Sequence, residues 1–171
     1  MIRQAIGDGK AFGLRVDYSF DGPDLLGTAG AVRNALPLLG NSFFVMYGDS
    51  YLTCNFAAVE AAFLRSGKLA MMTVLHNKNQ WDASNVEFDG RIVAYRKGSV
   101  SSRMQHIDYG LGVFQAEAFR DAPADLADLY AQLLQAGQLA AFEVQERFYE
   151  IGSPQGLEQT ARFLAERGVA R

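Results

Sequence analysis

Hydrophobic and polar positions along this chain follow two rhythms, one of period two and one near 3.6, and the two succeed each other almost without a break. Residues 1–6 pattern as the end of a helix, stopped at Gly7 and Gly9. Residues 14–20 (LRVDYSF) alternate as a strand with Leu14, Val16 and Tyr18 on one face, and DGPD at 21–24 turns the chain. Thr28 is placed to cap a helix that carries Val32, Leu36 and Leu39 inward and that Pro37 ends or bends. Residues 43–47 (FFVMY) are apolar throughout and predict a buried strand, which, if central, would set Asp49 at the sheet's ligand edge. Asn55 opens an amphipathic helix with Val59, Ala62 and Phe63 inward and Gly67 as its stop.

Residues 69–76 (LAMMTVLH) predict another buried strand. Segments 85–88 and 91–97 flank Asp89-Gly90, a strong hairpin signal. Residues 107–115 predict a strand with two glycines, 124–135 a helix, and 139–152 a strand pair or one bent strand. Ser153 caps a last helix, with Pro154 at its first position and Gly168 as its stop. Apolar strands alternating with amphipathic helices predict an α/β domain. Its sheet is expected to be mixed but mostly parallel, with helices on both faces.

Composition changes this picture little. The 171 residues suit one domain, residues 1–171, with a sizeable core. A net charge of −3, with Lys and Arg scattered, argues against a nucleic-acid or anionic-membrane partner. Cys54 is the single cysteine, which leaves no intrachain disulfide and reads as a small core residue. The sequence holds no apolar run long enough to span a bilayer, and its start lacks a signal-peptide pattern, so a cytoplasmic location is the expectation. His76 and His106 have no ligand spacing, and Trp81 reads as a loop or interface aromatic, or as a cover for a ligand.

Chemistry enters at Gly48-Asp49, directly after the 43–47 strand. Ligands of open α/β sheets collect outside the carboxyl ends of strands. There Asp49 either holds a hard cation such as Mg²⁺ or caps the next turn. Five segments in order decide the wider reading: LGTAGA, an apolar strand ending in GD, a DG hairpin running into RK, IDYGLGVF, and FYEIGSP. Together they resemble the sugar-1-phosphate nucleotidyltransferases, enzymes that make NDP-sugars from an NTP and a sugar 1-phosphate. The flavour is that of guanylyl- and uridylyltransferases acting on hexose, heptose or N-acetylmuramate phosphates. The resemblance implies a Rossmann-like nucleotide-diphospho-sugar transferase fold.

It also implies roles. Asp49 matches the family's Mg²⁺-holding aspartate, and Glu150 the second metal ligand, here one methylene longer than the usual Asp. Gly27, Thr28, Ala29 and Gly30 match the loop that meets the nucleobase, although Gly27 and Gly30 also suit a bare strand-to-helix turn. Lys97 matches a lysine that reaches the sugar phosphate, though it also suits a solvated hairpin end; Arg96 replaces the acidic residue before it and Gly98 the proline after it. Asp108 and Gly110 align with the family's N-A-G segment, a sugar contact, and Asn85 stands near a further one. The chemistry implied is attack by a sugar phosphate oxygen on the α-phosphorus of the NTP, which relies on alignment and charge neutralisation.

The family's Gly-rich triphosphate cradle, G-G-x-G-T-R-L, does not occur in the sequence. Residues 1–9 resemble the end of the family's second helix, so the first two β-α units, about 30 residues each, are expected to be missing. A truncated, inactive chain is one expectation. A non-catalytic remnant that binds nucleotide or sugar phosphate and self-associates as a homo-oligomer over an open sheet edge is the other.

Overall fold

The structure, a computed structural model, describes residues 1–96 and 101–168. At its centre lies β3 (Ala70–His76), the strand predicted from the second apolar run and buried along all but its last residue. β6 (His106–Gln115) flanks it antiparallel and β7 (Leu139–Val144) flanks it parallel. β4 (Val86–Phe88) and β5 (Ile92–Tyr95) form the hairpin around Gly90, whose φ of 90° calls for glycine, and β4 joins β6 at His106. β1 (Ser42–Met46) pairs with the far end of the same β6 edge, at residues 111–115. A small two-stranded sheet joins β2 (Ser50–Tyr51) to β8 (Tyr149–Glu150), which settles the 139–152 segment as two strands in different sheets.

The mixed sheet with helices on both faces is present as expected. β1, β3, β4 and β7 run one way and β5 and β6 the other. Because β6 threads between β3 and the β1/β4 edge, β3–β7 is the single parallel ladder among the described residues. Most strands thus share a direction, while most ladders are antiparallel.

The period-two pattern of β3 sorts its side chains to two cores. Ala70, Met72 and Val74 meet α2 (Thr28–Ala35), the 3₁₀ turn Ala116–Phe119 and α4 (Leu126–Gln135), whose Leu126, Leu129, Tyr130 and Leu133 are buried. Met71 and Leu75 meet Val59 and Phe63 of α3 (Phe56–Ser66) on the other face, where Cys54 is also buried. Asn55 caps α3 by accepting the Ala58 N–H, and Ser153 caps α5 (Pro154–Glu166), both as the sequence predicts. α1 (Ile2–Ile6) ends at Gly7.

Three expectations are corrected. Residues 14–20 form no strand: they run without a ladder partner and leave Leu14 and Phe20 exposed, so the alternation supplies suitable side chains but no neighbouring strand. β1 is not a buried central strand. It pairs with β6 alone among the described residues and alternates between half-buried and exposed positions, with Met46 half exposed. Gly27, rather than Thr28, is the N-cap of α2, because Thr28 Oγ1 turns away to accept the Leu126 N–H at 2.8 Å.

Gly112 lets Phe114 and Tyr130 of one core close against β6. A Cβ there would lie 2.6 Å from the Phe114 ring and would collide with the Tyr130 hydroxyl. Gly112→Ala is expected to cost roughly 1–3 kcal/mol of stability, read as a lower denaturant midpoint at unchanged slope.

Candidate active site

β6 does not keep one regular ladder along its length. Met72 faces Gly112, but Val74 already faces Asp108, so residues 109–111 bulge opposite Thr73. The Thr73 hydroxyl donates to Leu111 O at 2.6 Å and replaces the ladder bond lost there. Gly110 occupies the bulge at φ 85°. Its N–H donates to Asp108 Oδ1 at 3.0 Å, and its carbonyl accepts from Tyr47 N–H at 3.4 Å. A Cβ at Gly110 would sit 3.2 Å from the Tyr47 ring. On the outer edge β1 leaves at Leu111 and β4 joins at His106, so the sheet forks. Asn85 bridges the fork by accepting the Asp108 N–H on Oδ1 at 2.9 Å. A cleft of about 530 Å³ opens over it.

Two carboxylates from distant parts of the chain meet at one side of this cleft. Ser50 pairs with Glu150 across the β2–β8 ladder, and the Ile151 N–H donates to Asp49 O at 2.9 Å. A Cβ on Gly152 would lie 3.1 Å from Asp49 Oδ2 and 3.3 Å from Glu150 Oε2, so the two oxygens are no farther apart than those lengths laid end to end. Glu150 is held over the start of α5: Oε1 accepts the Ser153 hydroxyl at 2.6 Å and Oε2 accepts the Ser153 N–H at 3.0 Å. Any side chain at Gly156 would collide with Glu150 Oε1. The hydrogen bonds from Ser153, its hydroxyl first, hold the Glu150 carboxyl below its ordinary value and keep it ionised. Asp49 Oδ1 has the Ser50 hydroxyl at 3.5 Å.

Among the described residues no group of three or more His, Cys, Asp or Glu side chains gathers to hold a metal. The pair Asp49 and Glu150 nevertheless fits Mg²⁺, which takes oxygen ligands and draws on one or two carboxylates beside phosphate and water.

Asp108 forms the floor of the fork. Burial pushes its carboxyl up from 3.8 to about 6, against the lowering effect of the Gly110 N–H and the Tyr95 hydroxyl. Tyr47, Tyr95 and Tyr130 surround it. Burial first, and the Asp108 charge next, push all three phenols above their ordinary value, so each remains a neutral donor.

Asp49, Glu150, Asn85, Asp108 and Gly110 therefore line one cleft, as the sequence segments imply. The Gly27–Gly30 turn does not line it: the Ala29 and Gly30 N–H groups both donate to Ala124 O, at 2.9 and 3.2 Å. A Cβ at Gly27 would strike that carbonyl at 2.5 Å, so glycine at this φ of 77° serves the packing of α2 against the 122–126 segment. Lys97 lies outside the described residues. Sequence reasoning missed Tyr47, Tyr95, Phe148 and Ser153 as cleft residues. Position alone could have marked Tyr47, which directly precedes Gly48-Asp49.

The fold is that of the sugar-1-phosphate nucleotidyltransferases. A glucose-1-phosphate thymidylyltransferase, so described, from Bacillus anthracis in complex with a sucrose superposes at a TM-score of 0.82. It is 15% identical, over 95% of this chain and 70% of that one. HddC from Yersinia pseudotuberculosis complexed with GMP-PN superposes at 0.74 and 17% identity, over 95% of this chain and 73% of that one. In sequence, a 58-residue stretch, 33% of this chain, is 43% identical to the N-acetylmuramate alpha-1-phosphate uridylyltransferase of Neisseria meningitidis serogroup B. That stretch spans 25% of the relative's length. No protein-family model matches the chain. Fold and sequence thus agree on the resemblance to this family. No helix among the described residues is long and apolar enough to cross a membrane.

The raised Asp108 value has a consequence for stability. The native state binds the extra proton between pH 4 and 6, so stability is full below about 4 and falls as pH rises through about 6. Asp108→Asn keeps an acceptor for the Gly110 N–H and removes the buried charge. It is expected to flatten that fall and to gain roughly 1–3 kcal/mol at neutral pH, measured by denaturant midpoints of both proteins from pH 4 to 7.

Proposed function

We propose that this chain supplies the sugar-phosphate side of a nucleotidyl transfer, in which a sugar 1-phosphate attacks the α-phosphorus of an NTP and pyrophosphate leaves. The observation that carries the reading is the convergence of Asp49 and Glu150 on the cleft that also holds Asn85 and Asp108. One phosphate oxygen of the sugar forms the new bond to the α-phosphorus as the bond from that phosphorus to the β-phosphate oxygen breaks. The attacking oxygen is already ionised, so no side chain has to take a proton. Mg²⁺, when bound, supplies neutralisation of the phosphate charge.

Asp49 and Glu150 hold that ion in this reading. Asn85 and Asp108 meet the sugar, Gly110 lets it come close, and Lys97 reaches its phosphate. The turn at Gly27, Thr28, Ala29 and Gly30 stays the candidate for the base edge through groups other than the Ala29 and Gly30 N–H, which Ala124 O takes. The uridylyltransferase relative acts, by its name, on an N-acetylmuramate 1-phosphate, and the Bacillus anthracis structure holds a sucrose; both are consistent with a sugar in such a cleft.

A second reading, binding without turnover, draws on a different observation. No Lys or Arg lines the cleft among the described residues, and the sequence carries no G-G-x-G-T-R-L to cradle a triphosphate. This reading includes a second copy of the chain laid over the exposed apolar residues Leu14, Phe20, Phe44 and Met46.

Calorimetry separates these ideas. The chain is expected to bind hexose or N-acetylmuramate 1-phosphate more tightly with Mg²⁺ than without, and Asp49→Ala to lose about tenfold or more of that affinity. Mg²⁺-independent binding that survives Asp49→Ala sinks the metal site. Pyrophosphate release from an NTP and a sugar 1-phosphate is expected to be absent with this chain; release that disappears in Asp49→Ala establishes turnover and removes the second reading. Light scattering at micromolar concentration is expected to show an oligomer, and a monomer there removes self-association.

A further inference from the structure

The loop between β3 and β4 holds the chain's single tryptophan at the mouth of the cleft. The loop is laced to itself rather than to a ligand. Asn77 Nδ2 donates to Asp82 O at 2.6 Å and to Ser84 Oγ at 3.2 Å, and Asn77 Oδ1 accepts the Trp81 N–H at 3.3 Å. Asn79 N–H donates to Ser84 Oγ at 3.0 Å, and Ser84 N–H donates back to Asn79 Oδ1 at 2.8 Å. Asn77 and Ser84 are 1% and 0% exposed, so the lacing is buried. Lys78 and Asn79 take left-handed φ values of 49° and 59°, a conformation that costs energy in residues other than glycine. The loop's hydrogen bonds thus hold the Trp81 backbone beside the cleft.

The indole is covered in part: Arg147 lies over it and lines the smaller cavity with it, whereas the larger cleft is lined by Trp81 without Arg147. Phe148 meets it edge-on at 6.5 Å between ring centroids, and the Arg147 guanidinium lies 5.1 Å from its centroid. Trp81 is half-buried and forms the wall shared by the 530 Å³ cleft and a neighbouring cavity of about 210 Å³. The larger cleft also carries four carboxylates, Asp49, Asp82, Asp108 and Glu150, beside hydroxyls such as those of Tyr47, Tyr95 and Ser153 and the Asn85 amide. A flat apolar wall beside many acceptors suits a ring that has a C–H face and a rim of O–H donors.

We infer that Trp81 is the platform on which the pyranose ring of the sugar 1-phosphate stacks, a substrate contact within the site proposed above and dependent on that reading of the cleft. A nucleobase would also stack; the sugar is favoured because the four carboxylates of the lining only accept and a pyranose rim offers several O–H donors, and titration with UMP separates the two.

Because Trp81 is the single tryptophan, its emission reports this ring alone. Titrating the wild-type chain with glucose 1-phosphate and N-acetylmuramate 1-phosphate is expected to shift or quench emission saturably, while inorganic phosphate and UMP leave it unchanged. An unchanged spectrum up to about 10 mM sugar 1-phosphate, or a change with UMP alone, overturns the inference. Trp81→Phe retains a flat ring and is expected to bind within about threefold of wild type by calorimetry. Trp81→Leu keeps apolar bulk against Phe148 and is expected to bind about tenfold more weakly; equal affinities of the two variants also overturn it. The outcome is separable from that of the parent proposal. Saturable emission changes that persist in Asp49→Ala at unchanged affinity uphold the stacking and sink the metal site. Mg²⁺-dependent binding lost in Asp49→Ala with a silent tryptophan does the reverse.

Discussion

One strand has to serve two partners on a single edge, and the cleft follows from how its backbone meets that demand. β6 gives residues 111–115 to β1 and His106 to β4, so residues 107–110 cross the gap between them. Backbone N–H and C=O groups in a protein interior need partners. Here the partners are side chains and an irregular turn: Asn85 for the Asp108 N–H, the Asp108 carboxylate for the Gly110 N–H, and Thr73 for the Leu111 carbonyl. Groups that bridge the fork are thereby pinned around an opening that no strand fills. The left-handed Gly110 and its contact with Tyr47 make the same point sterically, since a side chain there would press into that ring.

The electrostatic character of the cleft comes from the same arrangement. Asp108 is half-buried at the bulge, and the tyrosines' own burial first, then the Asp108 charge, keep the three surrounding phenols neutral. At the opposite wall, the β2–β8 ladder sets Asp49 beside Glu150, and the N-terminus of α5 takes the Glu150 carboxylate through Ser153. An anion there is favoured by the unpaired N–H groups and dipole of the helix. Both carboxylates line the cleft, and the two oxygens of Glu150 also accept from Ser153. Two packed cores, one on each side of β3, give this site a rigid base.

Much of the scaffold was legible in local pattern. The apolar 70–76 strand, the Asp89-Gly90 hairpin, the Asn55 and Ser153 caps and the amphipathic α3, α4 and α5 all express short-range preferences, and all are found. Periodicity failed where the outcome depended on a neighbour. Residues 14–20 alternate as a strand does, but a strand needs a partner ladder and finds none among the described residues. FFVMY is apolar enough for a central position, yet β1 pairs on one side, because burial is a property of what lies alongside. Thr28 has the chemistry of a cap, and the competing Leu126 N–H drew its hydroxyl away.

For the site, the ordered segments pointed to Asp49, Glu150, Asn85, Asp108 and Gly110, and these do share a cleft. Residue type and order determined that much: a carboxylate after a strand, a glycine where the backbone must turn, a capped helix behind a glutamate. Tertiary structure alone decided that Asp49 and Glu150 face one point, that the Ala29 and Gly30 N–H groups are spent on Ala124, and that Trp81 closes the wall. Local sequence encodes the conformational preferences of a few neighbouring residues. Which distant groups meet is set by the packing of whole elements, and no short stretch of chain contains that information.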